Sequence, residues 1–108
     1  MSTEPTVEVT RYQVSCLPSD DPDAYHFTLT VERRDVNPDR WAVMRGSFCL
    51  DAKGREEYEP NPSSRTDAFK RRYRHSLEDA LALAKRIAPT LTVMGHTVDD
   101  ALARRNAE

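Results

Sequence analysis

The chain has 108 residues, of which 38% are hydrophobic and 31% charged, with a formal net charge of −2. That length suits one domain, 1–108, with one modest core, and the periodic apolar segments argue against wholesale disorder. The longest apolar run is too short to cross a bilayer, and the polar start M-S-T-E-P-T does not read as a signal peptide, so a cytoplasmic location without a membrane partner is expected.

Residues 1–6 are expected to form a frayed tail. From Val7 to Cys16 the pattern is strand-like, with a phase change near Thr10–Arg11 that marks a bulge or a later start. The segment L-P-S-D-D-P-D-A (17–24) is a loop by composition, and its acids Asp20, Asp21 and Asp23 suit a solvated loop. Tyr25 to Arg34 predicts a strand with Tyr25, Phe27, Leu29 and Val31 on an apolar face. His26, Thr28, Thr30 and Glu32 take the polar one. D-V-N-P-D-R (35–40) turns the chain. Trp41 to Leu50 predicts a third strand, apolar on both phases and so central, with Gly46 marking a bulge or a close backbone approach. D-A-K-G (51–54) predicts a hairpin turn, followed by a short charged edge strand over 56–59.

P-N-P-S-S-R (60–65) cannot continue that strand. Thr66 to Tyr73 predicts two helical turns with Phe69 and Tyr73 one turn apart. The strongest helical signal follows, from Ser76 to Pro89. Leu77, Ala80, Leu81, Ala84, Ile87 and Ala88 share one face. Ser76 is placed as the N-cap, and Pro89 makes continuation unfavourable. This face, with Leu81 on it, is expected to lie against the sheet. Thr90 to Val93 predicts a short strand or extended link. Thr97 caps a last short helix from Val98 to about Arg105, with Val98, Ala101 and Leu102 inward. The fold class is therefore α+β: an antiparallel three- to four-stranded meander, a C-terminal helix packed on one face, and a second short terminal helix.

The two cysteines, Cys16 and Cys49, lack metal-ligand spacing and read as free thiols of a reducing compartment, a disulfide between them requiring that the strands bring them together. His26, His75 and His96 form no ligand pair, and no phosphate-binding loop or nucleophile motif is present. No catalytic residue, cofactor or metal is expected. Charge is uneven: residues 1–64 carry 7 basic and 12 acidic side chains, residues 65–108 carry 9 and 6.

Two surfaces stand out. Arg65, Lys70, Arg71, Arg72 and Arg74 cluster around Phe69 and Tyr73, and arginines interleaved with aromatics suit phosphates and bases. The alternative is a solvated face that pairs with the acidic sheet half, with the aromatics docking the segment. On either reading, changing Arg71, Arg72 and Arg74 together to glutamate is expected to leave the fold intact. The second surface is the loop with Pro60, Pro62, Ser63, Ser64 and Arg65. Its prolines either stiffen it for a protein partner or simply end the edge strand.

The stretches W-A-V-M-R-G-S-F-C-L-D-A-K-G (41–54), Y-E-P-N-P-S-S-R (58–65), H-S-L-E-D-A-L-A-L-A (75–84) and T-V-M-G-H-T-V (92–98), in that order, resemble small proteins of actinobacterial phages and related mobile elements. The likeness runs from about Tyr12, and implies a context but no site. Together these readings lead to a small non-catalytic intracellular binding protein that acts through a protein partner. It would be a monomer or a small homo-oligomer. The alternative is a nucleic-acid-binding protein using segment 65–75.

Overall fold

A computed structural model describes residues 3–107. The expected tail 1–6 falls partly outside them, at residues 1 and 2. Residues 3–10 have no regular secondary structure and are exposed. Five antiparallel strands form one sheet in the order of the chain: β1 (Arg11–Ser15), β2 (Thr28–Val36), β3 (Asp39–Arg45), β4 (Phe48–Leu50) and β5 (Glu56–Tyr58). Three helices follow, α1 (Asp67–Tyr73), α2 (Leu77–Ile87) and α3 (Val98–Asn106). Between α2 and α3 lies a two-stranded hairpin, β6 (Thr92–Val93) with β7 (His96–Thr97). The protein is thus α+β. Among the described residues no helix is long and apolar enough to cross a membrane.

The sheet has five strands because the segment expected as one strand, 41–50, is a hairpin. Gly46 adopts φ +57°, which reverses the chain between Arg45 and its partner Phe48. β1 begins at Arg11, which resolves the phase change in favour of a later start. Tyr25 leaves the expected apolar face. Ala24–Phe27 form a 3-10 turn that the Thr28 hydroxyl closes by donating to the Ala24 carbonyl, and Tyr25 is exposed. From Phe27 onward the register is as the alternation predicts. Phe27, Leu29 and Val31 are buried, and Thr28 and Thr30 are half-buried on the other face.

The two faces differ in depth. On the first, Leu29, Val31, Trp41, Val43 and Leu50 pack with Ala80, Leu83, Ala84 and Ala88 of α2 and with Val98 and Ala101 of α3. Each large apolar side chain buried there contributes roughly 1.5–3 kcal/mol. Leu83 is the leucine of α2 that is buried, whereas Leu81 is half-buried at the border. The expected face is the one that packs, with Leu77, Leu81 and Ile87 half-buried against the core, and Leu83 widens it on one side, because neighbours in space decide which rim is covered most deeply. Close approach at the α2 C-terminus also needs Gly54. At φ +83°, it lies where a Cβ would meet Ile87 Cδ1 at 2.6 Å.

The second face has a small apolar patch of Ala42, Met44 and Cys49, covered by Phe69 and Tyr73 of α1. Burial pushes the Cys49 thiol up to about 11, while Cys16 is exposed, and both are free. The chain passes from α1 on this face to α2 on the other through His75. There the backbones of Trp41 and His75 exchange two hydrogen bonds of 2.8 Å, and His75 Nε2 lies 3.0 Å from the Leu50 carbonyl.

Candidate functional site

The site begins where β5 ends. Pro60 stops the strand and Pro62 opens a 3-10 turn, Pro62–Ser64, in which Ser64 N–H donates to the Asn61 carbonyl at 2.8 Å. Arg65 then folds back over the loop. Its Nε donates to the Pro60 carbonyl at 3.1 Å and pairs with Glu59 Oε2 at 2.9 Å. The loop is closed at its base by its own last residue, while Asn61, Pro62, Ser63 and Ser64 are exposed at its tip.

α1 follows at once, capped by the Thr66 hydroxyl, which accepts from Phe69 N–H at 3.1 Å. Its C-terminal end is pinned by Arg74, whose side chain is only 2% exposed. Arg74 reaches Glu59 Oε2 at 2.8 Å and lies over the Phe69 ring at 5.2 Å. Phe69 and Tyr73 stack at 4.8 Å. Arg72 lies 5.5 Å over the Tyr73 ring and 3.3 Å from Asp51 in the β4–β5 turn. Between β5 and α1 runs an open groove of about 500 Å3, walled by Glu57, Tyr58 and Pro60 on one side and Ala68, Phe69, Arg72 and Tyr73 on the other.

Electrostatics hold these parts in place. Burial works against the charge of Glu59, but the Arg74 bond and charge, with Arg65 and Arg34 beyond, outweigh it and keep its carboxyl below the usual range. Burial likewise opposes ionisation of Asp51. The amides of Arg55 and Lys53, each donating to Oδ1 at 2.9 Å, and the Arg72 guanidinium bring its carboxyl down. Glu59 Oε1 and Arg34 Nε are buried without a hydrogen bond among the described residues.

The two surfaces singled out in the sequence are therefore one region. Pro60, Pro62, Ser63, Ser64 and Arg65 form a closed loop beside the groove. Of the basic segment, Arg65 and Arg74 turn inward to Glu59 and Arg72 pairs with Asp51. Lys70 and Arg71 stay exposed and have no ion pair among the described residues. This corrects the expectation that Arg71, Arg72 and Arg74 all lie at the surface and could be reversed together at little cost, since Arg74 is buried. Sequence reading missed Glu59. Its partners lie six and fifteen residues on, spacings that no helix or strand period marks. The acids of loop 17–24 are also not simply solvated. Asp21 is buried, and Asp20, Asp21 and Asp23 take Arg105 and Arg104 of α3. Comparison of the chain with protein-family models, with curated proteins and with solved structures finds no match.

Proposed function

We propose that this is a small non-catalytic binding protein that engages a protein partner through the Pro60–Arg65 loop and the adjoining groove. The observation that carries this reading is the closure of the loop by Arg65 onto Pro60 and Glu59, with the tip left exposed. A loop already fixed in shape loses little conformational freedom on binding, so its contacts translate into affinity. The likeness of the stretches 41–54, 58–65, 75–84 and 92–98 to proteins of actinobacterial phages and mobile elements supports a setting inside a host cell. The free thiols of Cys16 and Cys49 agree with a reducing, cytoplasmic compartment. Nucleic-acid binding by segment 65–75 is less favoured, because two of its five cations are committed to Glu59 and a third to Asp51. Affinity capture from a host lysate with and without nuclease tests the reading. A partner should be retained after nuclease and lost with Ser63→Arg, a change at the exposed tip. Capture abolished by nuclease, or indifferent to the loop, would refute it.

A further inference from the structure

We propose that β1 is the pairing edge for a second copy of this chain: two sheets join antiparallel, edge to edge, about a two-fold axis perpendicular to them. The inference goes beyond the reading of the loop. β1 and β5 are the opposite edges of the sheet, so the pairing leaves the loop that follows β5 free.

The two edges differ in what they offer. On β5, Asp51 N–H donates to the Arg55 carbonyl and Glu59 N–H to the Ser47 carbonyl, each at 3.0 Å, so the antiparallel alternation turns the backbone groups of Glu56 and Tyr58 outward. That edge is closed: the Tyr58 N–H is taken by Glu57 Oε1 at 3.0 Å, and Pro60 ends the strand. On β1, Arg33 N–H donates to the Thr10 carbonyl at 2.9 Å, and the same alternation turns the N–H and C=O of Arg11 and Gln13 away from β2. Both residues are exposed, and among the described residues no side chain or loop bonds their backbones. β1 also lacks the lysines, prolines and bulges that blunt an edge.

β1 is extended by an arm that has no strand beside it. Residues 3–10 are exposed, Val7 to 95% and Val9 to 58%. The arm is tied at two points, by the Thr10 bond and by the pairing of Glu8 with Arg33 at 3.0 Å. T-V-E-V-T (6–10) is β-branched at every position but Glu8, which suits a strand. One continuous stretch, 6–14, therefore joins an arm without a neighbour to an edge without a neighbour, and a second copy run antiparallel supplies both at once. Centred on Thr10, the pairing sets Val9 opposite Arg11, Val7 opposite Gln13 and Glu8 opposite Tyr12, so both valines are covered and no like charges meet. Centring on Arg11 would set the two arginines against each other. Centring on Val9 would place Pro5, which has no N–H, in a hydrogen-bonding position opposite Gln13. The contact uses the same surface on both copies, so it closes at two.

The test is sedimentation equilibrium from micromolar to near-millimolar protein, with amide exchange measured at both ends of that range. The parent should pass from monomer to dimer and no further. In the dimer the amides of Val7, Val9, Arg11 and Gln13 should exchange more slowly, while that of Tyr12, turned toward β2, is unchanged. Val7→Lys with Val9→Lys, in the arm outside the regular structure, should weaken association roughly tenfold or more with melting unchanged. Gln13→Pro removes an outward N–H and should abolish association. A monomer at every concentration would overturn the inference, as would a dimer indifferent to both variants or association that grows past two copies. If the monomer instead captured from lysate a protein that Gln13→Pro loses, the edge would belong to a foreign strand and the inference would fall.

Discussion

α1 and α3 are both short helices fastened to the body by arginines, yet the two fastenings lie in different media. At α1, Arg74 and Glu59 are 2% and 8% exposed and share their charge with Arg65. At α3, Arg105 is 35% exposed and meets Asp20, which is 75% exposed, and Arg104, 54% exposed, pairs with Asp23, 37% exposed, at 3.6 Å. The same residue types thus do different things. In water the charges are screened and their loss is small. In the interior each is costly to leave alone, so the set of partners is held as a unit. α1 packs Phe69 and Tyr73 on the small patch of Ala42, Met44 and Cys49, and its C-terminal end, and with it the shape of the loop and groove, is fastened by that unit. α3 is held first by Val98 and Ala101 in the main core.

The sharpest way to break the comparison is Arg74→Ala. It leaves Glu59 buried with less compensation, and the expected loss is about 3–5 kcal/mol, read from urea unfolding. A loss below about 1 kcal/mol would mean that the pair behaves like a surface one. Next comes acid. Glu59 is held below its ordinary value of 4.5, so its contribution to stability is complete above that pH and is lost as pH falls through the lower folded-state value. Melting temperature should fall on acidification, with a shallower slope in Glu59→Gln. The lowered Asp51 and Asp100 keep a residual slope. An unchanged slope would remove Glu59 from the account.

At α3 the effects should be smaller. Thr97 caps the helix in a reciprocal box, its hydroxyl accepting from Asp100 N–H at 3.1 Å and its own N–H donating to Asp100 Oδ2 at 2.9 Å. Thr97→Ala should cost about 1 kcal/mol, seen as faster amide exchange in the first turn of α3. Arg105→Ala should cost at most about 1 kcal/mol, and the difference from the parent should vanish in molar salt. A salt-independent loss would show that buried Asp21, 3.5 Å from Arg105, makes the clasp an interior one.

Much of the site's local structure was legible in the sequence, but its assembly was not. The prolines announced a stiff loop, Thr66 and the Phe69–Tyr73 spacing announced α1, and the arginines announced a charged region. Which arginines face water depended on Glu59, which in sequence is one more acid in a charged strand. Ion pairs have no period, so nothing in the pattern separates Arg74, which is buried, from Arg71, which is exposed.

By itself the sequence determined the α+β class, the faces of β2 from Phe27 onward, and the two N-caps Ser76 and Thr97. All of these follow from alternation, helical spacing and capping chemistry, which act within a few residues. Tertiary structure alone decided the splitting of 41–50 into two strands at Gly46, the widening of the α2 stripe to Leu83, and the crossing of the chain between sheet faces at His75. It also decided the gathering of Arg65 and Arg74 on Glu59. Each of these depends on what lies opposite in space, because burial and the cost of an unpaired charge are properties of surroundings supplied by distant parts of the chain.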